Sequence, residues 1–449
     1  MTMHEETYLE ASKKYVVQPH SEPSKWERVG GKVIVEGRGI MVKDAEGKEY
    51  VEACVPYVAT SLGHGRKEIA EAAAAQMAKL FWYGLGPSFT HPRIGELAAK
   101  LAEIVPANQK RFFFTNSGSE ANETAVEVAY HYWLKKGKKD KRKVISRLNS
   151  YHGNTIAMAS CTGIEASWGF GPVLPEFIHI PEVYCYRCPF GKEYPNCDVD
   201  CAKALEKTIE KEGEDTVAAF ISDIAPSISG FPVPPPEYFP MVRKICSEHN
   251  VLFICDEVVH GFGRTGKWWG LQNWNVEPDI MTAGKAMTGG YLPMALVTMS
   301  EDVYQGVVVG VSDFYHIFTF GGHPACCAVA IKCIEIIQRE HLLENVTRVG
   351  EHLRHRLAEF KDFPYVGDVR SIGLTAAIEL VRDKTTKERF PPGRHAADVV
   401  VEQALQKGFI FARARETVRI APPYIVTIDD IDNIIDNLIP LVANLKMLS

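Results

Sequence analysis

The chain has 449 residues, 46% hydrophobic and 24% charged, with a formal net charge of -6. This is ordinary composition for a folded protein, and the length exceeds what one hydrophobic core usually serves, so a large domain with a smaller companion is expected. The negative balance leaves no basic field for nucleic acid, and no apolar run reaches the length of a membrane span.

The first residues, MTMHEETYLEAS, are acidic and polar and lack the apolar stretch of a signal peptide, so a cytosolic location is expected. VIVEGRGIMVKDAEGKEYVEAC then reads as a hairpin, with DAEG as the turn between alternating apolar positions. The segment TNSGSEANETAVEVAYHYW, residues 115–133, sets small residues before a helical pattern. The basic stretch KKGKKDKRK at 135–143 follows as a solvated helix end.

Further on, TVAAFISDIA (216–225) reads as a strand, EYFPMVRKICSEHN (237–250) as an amphipathic helix and VLFICDEV (251–258) as a second buried strand. That is the logic of a strand–helix–strand unit, and implies an α/β fold with a mostly parallel sheet covered by helices. From His323 the pattern is helical, then mixed: GLTAAIELV as a strand, HAADVVVEQALQKG as a helix, TVRIAPPYIVT as a strand leading to a final helix from Asp429. The expected layout is a large domain over 65–325. Residues 1–64 and 326–449, from the two ends of the chain, then form a smaller α/β unit.

Three segments carry chemistry. Ser117, Gly118 and Ser119 precede a helix, where unpaired backbone N–H groups and the helix dipole make an anion site, although a plain Ser-capped helix would look the same. Asp256 ends a buried strand, at the sheet edge where α/β proteins place ligands, and needs a partner that a protonated ring nitrogen or a metal could supply, although an acidic pair after an apolar strand also occurs in phosphohydrolases and nucleotide enzymes. Lys285, in DIMTAGKAMTGGYLP, stands among small and apolar residues, and a lysine whose charge is disfavoured by burial is an amine nucleophile suited to Schiff-base chemistry, with a surface lysine in a loop as the alternative.

A helix N-terminus for a phosphate, an acid for a pyridinium nitrogen and a lysine for an aldehyde together describe a pyridoxal 5′-phosphate (PLP) site. The order of the motifs GSEANE, YHG, DEV-x-x-GFGRTG, GK-x-x-TGGYLP and TFGGHP resembles the class III aminotransferases, fold-type I PLP enzymes, from about Arg38 to Pro423. The resemblance implies a homodimer, or a dimer of dimers, with shared active sites. Ser117, Gly118 and Ser119 would hold the phosphate, with Thr319 adding a contact from the neighbouring subunit. Tyr151 and Val258 would sandwich the ring, Asp256 would keep its nitrogen protonated, and Lys285 would carry both the cofactor and the transferred proton. His152, beside Tyr151, reads as structural.

The departures bear on substrate. Many relatives that act on 2-oxoglutarate have Arg at the fourth place of the YHG-type motif, where Asn154 stands here. Arg419 matches a residue that binds a keto-acid carboxylate or pairs with an acid after an earlier strand; that acid would be Asp223, one methylene shorter than the usual Glu. One cation without the other implies a monocarboxylic acceptor, pyruvate, with an amine or ω-amino acid donor, unless Arg413 or Arg415 replaces the missing clamp. Tyr57, Phe81, Trp82 and Tyr83 fall in segments that line the pocket of relatives, or else the dimer interface. Cys185, Cys188, Cys197 and Cys201, in YCYRCPFGKEYPNCDVDC, have the donor count of a structural metal site, with two disulfides or four ordinary thiols as the alternatives. An amino-acid racemase or epimerase and an amine-phosphate lyase of the same family are the rival activities. A non-catalytic nucleotide-binding α/β protein is the rival class.

Overall fold

Four runs of residues buried along their whole length, Val217–Asp223, Leu252–Asp256, Ile280–Ala283 and Ala295–Met299, give strands that must be covered on both faces. In the computed structural model they lie together in a seven-stranded sheet. The structure describes residues 5–445 apart from 165–168, 170–172, 309–313 and 392–394. The spatial order is Arg111–Thr115, Ala295–Met299, Ile280–Ala283, Leu252–Asp256, Val217–Asp223, Lys143–Arg147 and Phe177–Ile180. Only Ala295–Met299 runs against its neighbours, and the other pairings in the sheet are parallel. The α/β expectation with a mostly parallel sheet therefore holds.

Successive strand residues face opposite sides. Leu252, Ile254, Ile221 and Ile280 join the apolar cluster that includes Ala121, Ala125 and Val128 of the helix Gly118–Lys135, while Phe253, Cys255, Phe220 and Met281 join the cluster on the other face. Asp256, two residues beyond Ile254, therefore points to the face covered by Gly118–Lys135. Glu257 points to the other.

The helix Tyr238–Glu248 covers that second face, with Phe239 packed between Tyr238, Phe253 and Trp274. The basic stretch 135–143 is internally engaged: Lys138 pairs with Asp215, Lys143 with Glu212, and the Lys141 ammonium lies 4.2 Å from the Trp133 ring centroid.

Residues from the two ends of the chain meet in one small sheet, where the hairpin strands Met41–Asp44 and Glu49–Glu52 are joined by Ile34–Arg38 on one side and by Phe409–Ile410 on the other. The hairpin turn is closed as its sequence implies, with the Gly47 N–H donating to the Asp44 carbonyl at 2.9 Å. A second four-stranded sheet is built from Val366–Ile372, Thr375–Leu380, Thr417–Ile420 and Ala412–Ala414. The last helix, Ile428–Ala443, is opened by Thr427 and Asp430, each capping the other's backbone.

Phe239 is fully buried. Phe239→Ala should cost about 3–5 kcal/mol of stability, read as a lower midpoint of urea unfolding, and Phe239→Leu should cost less than half as much.

Candidate active site

The strands Val217–Asp223 and Leu252–Asp256 run parallel and in register, so Asp223 and Asp256 stand side by side at the carboxyl edge of the sheet. Both are buried. Asp256 Oδ2 accepts from Asn122 Nδ2 at 2.7 Å and from His152 Nδ1 at 2.8 Å, and Oδ1 accepts from the Val258 N–H at 3.0 Å. Burial pushes the Asp256 carboxyl up, but these donors and the His152 ring outweigh it and hold the group below the usual carboxylate range. It therefore stays ionised in the interior.

The neighbouring Glu257 is separate from this site. It accepts from the Leu271 N–H at 2.7 Å and the Gly270 N–H at 2.9 Å on the other face, and burial pushes its carboxyl up to about 7.

Lys285 follows the strand Ile280–Ala283 and adopts φ 42°, a left-handed conformation uncommon for a residue with a side chain. Burial lowers its ammonium from the ordinary lysine range, opposed by the charges of Asp256 and Asp223. A lysine in that position keeps more neutral amine near pH 7 than one in water.

The helix Gly118–Lys135 begins beside this acid. Ser117 is its N-cap, its Oγ accepting from the Glu120 N–H at 3.2 Å. A Cβ at Gly118 would stand 3.0 Å from Val258 Cγ1, so the absence of a side chain there lets the helix terminus approach the strand end. Gly153, at φ 145°, has the same function against Ser119, whose Oγ a Cβ would meet at 2.5 Å. Ser119 Oγ also accepts from the Asn154 N–H at 3.2 Å, which ties the YHG-type loop to the helix terminus.

Tyr151 is partly exposed, and its hydroxyl is pushed up by burial and by the nearby Asp256 and Tyr57. Tyr57, Phe81 and Tyr83 are exposed, and Trp82 Nε1 donates to the Thr319 carbonyl at 3.3 Å.

At the substrate end the geometry differs from the sequence expectation. Asp223 pairs with Arg147, whose Nη2 lies 2.7 Å from Asp223 Oδ1, and not with Arg419. Arg147 ends the adjacent strand Lys143–Arg147, close enough for the shorter aspartate to reach. Arg419 Nη1 donates to the Ser227 carbonyl at 3.0 Å, and among the described residues its buried Nε has no partner and no carboxylate pairs with it. Arg413 pairs with Asp398, while Arg415 donates to Asn149 and lies 3.9 Å from Glu182.

The metal expectation is not supported. Cys185, Cys188, Cys197 and Cys201 are free thiols that line one small pocket with Tyr184, Phe190 and Tyr194. No group of three or more His, Cys, Asp or Glu among the described residues is placed to hold a metal ion. Burial and the proximity of Cys185 push the Cys201 thiol up to about 12.

Sequence reasoning missed Arg147, Asn122 and Thr282 and gave His152 no role at Asp256. Asn122 lies inside the quoted GSEANE motif, one helical turn beyond Gly118, and Thr282 shares the face of Ile280. Those periodicities place both residues toward Asp256.

The sequence pattern of the family "Aminotransferase class-III" matches residues 24–442. The chain is a class III aminotransferase. The enzyme is 36% identical over 426 residues to the putrescine–pyruvate aminotransferase of Pseudomonas aeruginosa, a span covering 94% of this chain and 93% of that one. It is also 36% identical over 449 residues to the taurine–pyruvate aminotransferase of Bilophila wadsworthia, covering 97% and 96%. The solved ω-transaminase of Pseudomonas jessenii in complex with PMP superposes with a TM-score of 0.95 at 34% identity, covering 98% of each chain. The family's cofactor is PLP.

Arg147 is fully buried on Asp223. Arg147→Ala should destabilise the aminotransferase by about 3–5 kcal/mol, because an unpaired carboxylate is left in the interior. Replacing both partners by apolar residues, Arg147→Met with Asp223→Leu, should recover most of that loss in the thermal midpoint.

Proposed function

We propose that this aminotransferase moves an amino group from an amine or ω-amino acid to pyruvate, with the residues above in the following roles. The site fits PLP on its own geometry: a helix terminus brought close by Gly118 and Gly153, a buried ionised carboxylate, and a lysine with a depressed ammonium. When bound, the cofactor supplies an aldehyde that takes the amino group and a ring that withdraws electrons from the substrate carbon.

Ser117, Gly118 and Ser119 hold the phosphate through backbone N–H groups and the helix dipole. Tyr151 and Val258 would hold the cofactor's ring between them. Asp256 holds the proton on the ring nitrogen through a charge-assisted hydrogen bond. Lys285 would hold the cofactor through its amine, and that amine, once free, would move the proton taken from the substrate carbon. A racemase would return it to the substrate. The activities for which the compared relatives are named are aminotransferases, and no observation here favours that rival or the lyase.

The acceptor reading is carried by Arg419, a guanidinium that no carboxylate of the described chain neutralises. It offers one anion site, while Asn154 offers none, and Arg413 and Arg415 are engaged elsewhere. Two relatives named for pyruvate fit that count. They are named for a diamine and for a sulfonate donor at the same 36% identity, so likeness alone does not select the donor.

A second copy completes the site. Phe81, Tyr83, Tyr315 and Phe320 are exposed aromatics that flank Thr319 or its partner Trp82 in the chain, and Phe89 packs on Tyr83, an apolar surface of the kind that subunits bury.

Lys285→Ala should abolish turnover and leave PLP bound only non-covalently; borohydride reduction of the wild-type enzyme followed by peptide mapping should label Lys285, and a label on another lysine would overturn the assignment. Because burial lowers its ammonium, covalent reloading of the apoenzyme should rise with pH and level off below the ordinary lysine value of 10.5. A bidentate charged contact is worth about 1.5–3 kcal/mol, roughly one to two powers of ten in affinity. Pyruvate should therefore beat 2-oxoglutarate in kcat/KM with one common donor, and Arg419→Ala should weaken keto-acid use far more than use of an amine without a carboxylate. A preference for 2-oxoglutarate would show that another cation supplies the second clamp.

A further inference from the structure

Buried polar atoms without a hydrogen-bond partner among the described residues gather around the end of the strand Thr417–Ile420. They are Arg264 Nε and Nη2, Arg419 Nε, both ring nitrogens of His260 and the Tyr424 hydroxyl. Arg264, His260 and Tyr424 are fully buried. Arg264 Nη1 donates to the Pro422 carbonyl at 2.5 Å and the Leu374 carbonyl at 3.4 Å, and its guanidinium lies 4.5 Å from the centroid of the Tyr424 ring. Phe231 joins the other two groups: the Arg419 guanidinium lies 6.0 Å and the His260 ring 6.2 Å from its ring centroid.

Two cations therefore stand here, and no carboxylate among the described residues pairs with either. The acids around them are engaged elsewhere. Asp223 pairs with Arg147, Glu52 with His64, Asp256 is held by Asn122, His152 and the Val258 N–H, and Glu257 accepts from the Gly270 and Leu271 N–H groups. Burial pushes the Cys54 thiol up against the pull of Arg419 and Arg264, so the one thiol that senses both guanidiniums is not their counter-ion. Burial, Arg264 and Lys285 lower the His260 ring to about 3, so near pH 7 it is neutral, with one N–H and one acceptor nitrogen.

The balance of donors decides what can sit among these groups. Guanidinium edges only donate, so unmatched N–H groups outnumber the acceptors, which are one His260 nitrogen and the Tyr424 oxygen. A water would add hydrogens that need acceptors and would leave the charge of two buried cations uncompensated. An anion accepts from every donor and pairs the charge. Full burial of Arg264, His260 and Tyr424 suits a monatomic ligand better than an organic one.

We infer that Arg264 Nε and Nη2 and Arg419 Nε hold a small monovalent anion of halide size between them, with the N–H of neutral His260 turned to it. The inference takes only the Nε edge of Arg419 and needs neither cofactor nor keto acid, so it stands apart from the acceptor reading above.

The test grows holoenzyme crystals in sodium bromide and collects diffraction data at the bromine absorption edge. An anomalous peak is expected in contact with Arg264 Nε or Nη2. In solution, the thermal midpoint of the holoenzyme should rise by roughly 2–3 °C over a hundredfold range of dilute chloride, exchanged for gluconate at constant ionic strength, because a ligand bound only by the folded state stabilises it. Arg264→Met keeps the length of the side chain and loses every donor, and should show neither the peak nor the chloride dependence. Bromide at the surface as an adventitious ion only, a midpoint indifferent to chloride, or a peak that persists in Arg264→Met overturns the inference. If Arg264→Met does not fold, the wild-type crystals and midpoints decide alone.

Discussion

The structure around the site depends on keeping one carboxylate charged inside a folded protein. Moving an ion from water into the interior costs several kcal/mol even after relaxation, so a buried aspartate either protonates or finds donors. Asp256 finds three, from three separate parts of the chain: the helix after the Ser-Gly-Ser turn, the YHG-type loop and its own strand end. That requirement draws those segments together, and the helix terminus at Gly118 and the side chain of Tyr151 come with them.

The same parity rule that points Asp256 to the helix face points Glu257 away from it, and the two adjacent acids have opposite fates. Donors hold the first below the carboxylate range, whereas burial pushes the second up to about 7 despite two backbone N–H groups. The first is suited to holding a cationic ring. The second closes the loop that starts at Trp269.

Much of this was legible in the sequence, because strands buried on both faces, helix caps and Gly-rich turns are local features. Val217–Asp223, Leu252–Asp256 and the helix Gly118–Lys135 all lie within a residue or two of the segments that suggested them. What could not be read was partner choice between strands. The shorter arm of Asp223 could be read from the sequence, but its pairing with Arg147 instead of Arg419 depends on which strand lies next in the sheet, and that is not encoded locally. The cysteine segment shows the same limit from the other side: spacing brings four thiols to one pocket, but spacing does not set the distances that metal ligation needs.

The small sheet that joins the two ends of the chain has a consequence for synthesis. Its strand Glu49–Glu52 pairs with Phe409–Ile410, about 360 residues later, and at a translation rate of about 5–20 residues per second the later strand emerges roughly 20–70 seconds after the earlier one. Throughout that interval the hairpin presents an open strand edge, a ready template for pairing with other nascent chains. Expression in cells should therefore be sensitive to chaperones that mask such edges, and a truncation before Phe409 should aggregate even though Asp256, Lys285 and the helix terminus at Gly118 are all present.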